Sequence, residues 1–462
     1  MKAWEQEKIR KLFAIVFVVV LTIIPLSLCF NRSVWLDEAF SLRWSTLPFP
    51  NFVKRIVEDV HPPLYYLFLR MVLTLTNNSL FAAKIFSVAA VTLLFVIGAV
   101  FVRKEFGCKA MVFYGLFVLF NPMMLKKAVE VRMYTWAFLS VTYSSVQMYY
   151  LLKQSPKKKN WILFTLSSVA AAYTHYFAAL SLVVVYAGLL IFHLFTRNWK
   201  QIKAWMICAG CTILLYLPWL PILLKQVKSD NVSWIQPATS RLGVMRDMLR
   251  TDIPKIETIY MLLMIGFLIG GLVLFCRRKT AELYWSLVCM SAVWVVLAFG
   301  LLYEKLMRPL LSARYLMIPL YISILGMSVL WKYIPKYILV IPVIFFLVTG
   351  ASVYRTVFVE EYHTRTDETL QFAEEHVRDG DIIFYDADSL CSVIPYYFPN
   401  MSEQSVDIYA GDYEYLWYFD TYQSLDYEKL DKEHKKYVVY SGYGFDNVNF
   451  DIIYITCGDV VD

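Results

Sequence analysis

Residues Leu12–Phe30 read LFAIVFVVVLTIIPLSLCF, an uncharged run close to the roughly 20 apolar residues needed to cross the hydrocarbon core of a bilayer. It is too long for a cleaved leader, has no small-x-small site and runs straight into a polar loop, so it is expected to stay as a membrane helix. Similar runs recur, and reading them between charged clusters gives about eleven spans, at 12–30, 82–102, 109–125, 133–152, 161–175, 177–195, 203–224, 258–276, 283–302, 313–330 and 337–354. The composition agrees. Of 462 residues 59% are hydrophobic and 18% charged, more apolar surface than a water-soluble chain can cover. The expected fold is an α-helical polytopic membrane protein.

Short basic loops fall on alternate connections: Lys2/Lys8/Arg10/Lys11, Arg103/Lys104/Lys109, Lys153/Lys157/Lys158/Lys159, Arg197/Lys200/Lys203, Arg277/Arg278/Lys279 and Lys332/Lys336. Positive charge collects on the cytoplasmic side, so the N-terminus is expected there. The parity requires 64–76, too short for a crossing, to be re-entrant or interfacial. Loop 31–63, the turn at Glu130–Arg132, loop 225–257 and segment 303–313 then share the opposite, exterior face.

Charge also divides the chain. From Arg355 onward there are 7 Lys and Arg against 23 Asp and Glu, whereas the rest carries +23. The expected domains are a membrane body, 1–354, and a small acidic α/β extracytoplasmic domain, 355–462. In the latter, Thr366–Val377 has helical periodicity, and Asp381–Asp386, Lys436–Ser441 and Asp451–Cys457 read as strands. Basic residues at membrane interfaces, and a site for phosphorylated lipid, account for the positive body without nucleic acid.

The eight cysteines lack metal-ligand spacing. Cys391 and Cys457 either pair, if the tail meets an oxidising compartment, or stay free. No phosphate-cradling G-x-x-x-x-G-K-[ST] loop, G-x-S-x-G motif or zinc-type histidine cluster occurs, so any group transfer needs a donor that arrives activated.

Loop 31–63 holds the chemistry-bearing residues. It opens on Trp35-Leu36-Asp37-Glu38 and closes on Glu58-Asp59-Val60-His61-Pro62-Pro63. Two adjacent acids beside hydrocarbon are costly unless they face a cavity, water or a cation; the plain alternative is an acidic pair marking a helix end. The double proline fixes two φ angles and biases His61 toward extended backbone, which a rigid turn alone would also explain.

Taken together, Asp37-Glu38 and His61-Pro62-Pro63 resemble the first exterior loop of the protein O-mannosyltransferases and of the bacterial aminoarabinose transferases, integral-membrane glycosyltransferases of the GT-C type. Ala128-Val129-Glu130-Val131-Arg132-Met133-Tyr134 resembles the second exterior motif of that group, and Ser312-Ala313-Arg314-Tyr315-Leu316 its late Arg-Tyr motif. The resemblance implies a bacterial plasma-membrane enzyme that takes a monosaccharide from a polyprenyl-phosphate donor, such as undecaprenyl phosphate, and passes it to an extracytoplasmic glycan, lipid or protein. Asp37 corresponds to the proposed base and Glu38 to its orienting neighbour, with a divalent metal beside them left open. Arg132 and Arg314 are first candidates for the phosphate, since Arg binds it through paired hydrogen bonds; Lys126, Lys127 and Arg308 follow. His61, Glu130, Tyr134 and Tyr315 complete the expected substrate site. The chain departs from the pattern at Val60-His61, where aminoarabinose transferases carry Glu-Lys, and at Tyr65-Tyr66, where mannosyltransferases carry Gly-Lys. Loop 225–257 is too short for the mannosyltransferases' lumenal insertion, which disfavours a protein acceptor.

Three further expectations are structural. His175 reads as a helix-end histidine bonded to backbone, Glu130 as a partner of Arg132 or Lys126, and Trp219, between two prolines, as an interfacial anchor. The competing function is a transporter or flippase of lipid-linked glycans. Transporters keep their charges near the bilayer midplane in paired broken helices, and neither feature is apparent here.

Overall fold

The computed structural model describes residues 2–227, 235, 242–362, 382–385, 393–397, 402–406, 415–418, 421–424, 436–441 and 450–455. Among them, eight helices are long and apolar enough to cross a membrane: Trp4–Phe30, Leu80–Phe106, Tyr176–Phe195, Trp199–Val227, Ile256–Arg278, Ala281–Leu306, Ala313–Lys332 and Lys336–Val359. The other three expected spans coincide with helices Cys108–Phe120, Tyr134–Leu151 and Lys158–Thr174. These are short, or carry too many polar residues, to meet the same length and hydropathy standard. The chain divides into two compact units, Met1–Cys29 with Phe49–Arg355, and Phe30–Pro48 with Thr356–Asp462.

The first unit is a helical bundle. Its centre is Ala313–Lys332, with 89% of its most apolar window buried, against 11% for Trp199–Val227 at the periphery. An apolar helix buried all round is a core helix; one exposed on most of its surface is dressed for lipid. Helix Ala313–Ser328 packs chiefly on Ala281–Leu306. The approach is close because Gly326 presents no side chain: a Cβ there would stand 2.7 Å from the Ser286 carbonyl oxygen and 3.0 Å from the Met290 nitrogen. Ser286 Oγ donates to the Gly326 carbonyl at 2.7 Å and Ser323 Oγ to that of Cys289 at 3.1 Å. Small residues and hydroxyl bonds of this kind join helices where water supplies no drive. On the other side Tyr321 stacks on Phe138 at 4.2 Å and accepts from Asn121 Nδ2 at 2.7 Å.

The loop expected at 31–63 is itself largely helical, with Leu36–Thr46 and Phe49–Glu58 inside it. It leads into Leu64–Leu75, a helix of 12 residues. At about 1.5 Å per residue this helix reaches some 18 Å, short of the bilayer core.

The second unit joins Phe30–Pro48 to the tail, so the boundary expected at 354/355 does not divide the chain cleanly. The physical reason is Val393–Tyr397, a short helix packed on Leu36–Thr46. Its Tyr397 hydroxyl donates to the Arg32 carbonyl at 2.6 Å. Six strands form one sheet: β1 (Ile382–Tyr385), β2 (Ser402–Val406), β3 (Tyr415–Tyr418), β4 (Thr421–Ser424), β5 (Lys436–Ser441) and β6 (Phe450–Ile455). The order is β4-β3-β2-β1-β5-β6. β1 runs parallel to both neighbours, with Ile382 opposite Ser402 and Lys436, and the outer pairs are antiparallel. The helix expected at Thr366–Val377, together with Cys391 and Cys457, lies outside the described residues.

Gly326→Val should lower the thermal stability of the detergent-solubilised protein by about 1–3 kcal/mol. Gly266→Val, where nothing lies within 4 Å of the added carbon, should leave the melting curve nearly unmoved. Equal effects would contradict the close approach.

Candidate active site

In the first unit four chain segments meet: Asp59–Pro63, Lys126–Tyr134, His175 and the head of Ala313–Ser328. Their mutual contacts bring the connecting ends of these helices together.

Asp59 is the hub of the first segment. Its Oδ2 accepts from Tyr66 at 2.8 Å and lies 3.3 Å from His61 Nδ1, while Arg132 Nη1 donates to the Tyr66 oxygen at 3.1 Å. Burial pushes the Asp59 carboxyl upward, but the charge and hydrogen bond of His61 and the charge of Arg132 outweigh it and hold it below the usual range. The double proline aids this geometry: with Pro62-Pro63 rigid, His61 turns inward, buried, just before helix Leu64–Leu75 begins.

Glu130 pairs with Lys127, both fully buried, rather than with Arg132 or Lys126 as expected. The helix Met124–Val129 ends one residue earlier, and Glu130 turns to extended backbone at ψ 131°, which brings its carboxylate back over the last turn. Its carbonyl accepts from Ser87 at 2.7 Å. Lys127 also sits 5.2 Å from the centre of the Tyr134 ring. Its ammonium is held below its ordinary pKa by burial and by the charges of Arg314 and Lys126, against the opposing pull of Glu130. Arg314 and Lys126 thus lie close enough to Lys127 for their charges to act on it.

Aromatic rings close the cluster. His175 lies 5.4 Å from His61, 5.8 Å from Tyr134 and 4.9 Å from Tyr315. Arg314 stands over Tyr315 at 5.7 Å. Thus His61, Lys127, Glu130, Arg132, Tyr134, Arg314 and Tyr315 gather in one place, with Lys126 half-buried beside them. Arg308 has a different partner, the carbonyl of Val227. Trp219 is no lipid anchor: it is buried, and its Nε1 donates to the Tyr176 hydroxyl at 3.0 Å. Sequence reasoning gave no role to Asp59, Tyr66 or Lys84. Lys84 is fully buried near the start of Leu80–Ile97, one turn before Ser87, and its lone charge in an apolar run is the signal that could have found it.

Asp37 and Glu38 belong to the second unit. They do not end the first membrane helix; they form the first turn of Leu36–Thr46, where acids favour the helix dipole. Glu38 is buried and accepts from the Trp35 backbone N–H at 3.3 Å, while Asp37 is half-buried. Tyr396 and Tyr397 stack edge-on at 4.9 Å. Burial and the Glu38 charge push the Tyr396 phenol up to about 12. Among the described residues no group of three or more His, Cys, Asp or Glu side chains gathers as metal ligands, and one of the two carboxylates here is already engaged with backbone.

No protein-family model and no curated protein matches the chain. Solved structures similar to it include ArnT from Cupriavidus metallidurans in the apo state (12% identity, 85% of each chain, TM-score 0.45) and the same enzyme bound to undecaprenyl phosphate (13%, 85% of each chain, 0.47). Another is the Archaeoglobus fulgidus oligosaccharyltransferase complexed with zinc and sulfate, at 9% identity over 83% of this chain and 62% of that one, with a TM-score of 0.46. With TM-scores below 0.5 these likenesses decide nothing about this chain, whose site is read from its own residues.

Because the Asp59 pKa is lower folded than unfolded, its stabilisation is present above the ordinary carboxylate range and is lost as pH falls through the depressed folded value. Asp59→Asn leaves His61 and Arg132 without that carboxylate. It should cost about 3 kcal/mol near neutral pH and flatten the acid limb of the stability–pH curve. An unchanged acid limb would remove Asp59 from its place as hub.

Proposed function

We propose that the chain is a GT-C-type glycosyltransferase that transfers a monosaccharide from a polyprenyl-phosphate donor to an acceptor on the outer face of the bacterial plasma membrane. The supporting observation is the charge of the buried cluster. Lys127 and Arg132, both buried, gather with the half-buried Arg314 and Lys126 around Asp59 and Glu130. Cations held in low dielectric favour an anion that can pair with them. A phosphate on a prenyl chain suits such a place, because the chain can lie among apolar helices while the head reaches the cations at their ends. Eleven spans, counting the three shorter helices, would carry the chain between the cytoplasmic N-terminus and the outer face.

In the reaction the acceptor's nucleophilic oxygen or nitrogen attacks the anomeric carbon. A carboxylate base, the role the resemblance gives to Asp37, takes its proton, the bond from that carbon to the phosphate oxygen breaks, and the configuration inverts. The departing phosphate needs positive charge rather than an acid, which Arg132, Arg314 and Lys127 supply. Tyr134, Tyr315, His61 and Glu130 offer ring faces and hydrogen bonds to the sugar. Glu38 holds the helix turn that carries Asp37 and so orients it. The packing of Val393–Tyr397 on that helix supports a role for the acidic tail in selecting the acceptor.

Purified protein incubated with a panel of polyprenyl-phosphate sugars should transfer one of them, with products identified by mass spectrometry. Asp37→Asn should lower the rate at least about 100-fold without altering the melting temperature. Arg314→Ala should weaken donor binding more than it harms folding. Wild-type turnover by the Asp37 variant would take the base role from that residue.

A further inference from the structure

His175 sits between helices Lys158–Thr174 and Tyr176–Phe195, in extended backbone at φ −159° and ψ 138°. It serves as N-cap of the second helix in an unusual way: its ring nitrogen Nδ1 accepts from the Phe177 backbone N–H at 3.1 Å. A nitrogen that accepts carries no proton, so in the neutral ring the proton resides on Nε2. That Nε2–H is buried and meets no hydrogen-bond partner among the described residues. A buried donor left unmatched costs about 1–3 kcal/mol, so an incoming acceptor that pairs with it recovers that cost. Around the ring stand His61, Tyr134 and Tyr315, and Arg132 and Arg314 lie near enough for their charges to act on it. The backbone thus fixes the tautomer, and the fold leaves a buried neutral donor in the neighbourhood of these cations.

We propose that His175 is a binding residue for the donor's phosphoryl group, its Nε2–H donating a hydrogen bond to a phosphate oxygen beside Arg132 and Arg314. This rests on the reading of the cluster as a prenyl-phosphate site. A neutral donor differs usefully from a fourth cation there, because it grips the leaving phosphate without adding further repulsion to Lys127. The interaction strengthens as charge develops on the oxygen when the glycosyl bond breaks.

The test uses full-length protein labelled with 15N-histidine in phosphatidylcholine nanodiscs. The His175 resonances are assigned by their loss in His175→Asn, whose amide oxygen can still cap the helix. Before ligand is added, His175 should be in the Nε2–H form. On adding undecaprenyl phosphate its Nε2–H proton should move downfield while Nδ1 stays unprotonated. Neither inorganic phosphate nor phosphatidylglycerol in the disc should reproduce the shift. The retained lipid, counted by native mass spectrometry, separates the two readings. Undecaprenyl phosphate that binds without moving the His175 signal overturns the His175 assignment and leaves the site standing; failure of the wild type to bind it overturns both. An equal shift with phosphatidylglycerol or inorganic phosphate overturns recognition of the carrier by this residue. His175→Phe, which keeps an aromatic ring and loses the donor, should weaken undecaprenyl-phosphate binding about tenfold or more. His175→Asn should weaken it less.

Discussion

Charge in a place with little water is the constraint on which the site depends. Lys127, Glu130, Arg132, Asp59 and His61 are all withdrawn from solvent at one end of a helical bundle, where an unmatched ion is far more costly than at a protein surface. The structure answers this with two local pairings. Asp59 binds His61 and, through Tyr66, is linked to Arg132; Glu130 binds Lys127. Burial chiefly depresses Lys127, with the charges of Arg314 and Lys126 adding to it and Glu130 opposing it, and a phosphate arriving here would meet that group of cations.

The rest of the bundle serves to hold those few side chains still. Helix Ala313–Ser328 is the most enclosed of the candidate spans, fastened to its neighbours by Gly326, Ser323 and Ser286 on one face and by Tyr321 on another, and its first turn carries Arg314 and Tyr315. Helix Leu80–Ile97 fixes Glu130 through Ser87 and abuts Trp136 through Phe86 at 4.7 Å. Gln226 donates to the carbonyls of Ile56 and Val57 at 3.3 Å, just ahead of Asp59. Long apolar helices place polar ends with little freedom, as a rigid scaffold for a binding site should.

Much of this was legible in the sequence, and the limits have physical causes. Hydropathy marks helices that lie against lipid, so Leu12–Phe30 and its like were plain. It is weak where a helix is lined by other protein: Tyr134–Leu151 carries Ser, Thr and Tyr because it faces neighbours rather than lipid. Residue pairs such as Asp37-Glu38 and His61-Pro62-Pro63 stood out because their types are costly beside a membrane. What sequence could not give was partnership. Glu130 was expected to meet Arg132 or Lys126 and meets Lys127, because the helix ends at Val129 and the backbone turns there. Nor did order along the chain reveal that residues 30–48 belong with the tail. A surface formed by Val393–Tyr397, more than three hundred residues on, decides that. His175 was read as a backbone-bonded helix end, and it is one; the spare nitrogen on the other side of its ring emerges only from three dimensions.

The central claim is that the clustered cations at the bundle's end receive a prenyl-linked phosphate. A density map of the protein in a lipid nanodisc with undecaprenyl phosphate tests this most directly. The account predicts phosphate density in contact with Arg132, Arg314 and Lys127, with the prenyl chain running along the helices beside them. Phosphate bound at the opposite end of the bundle, with this cluster unchanged, would contradict it.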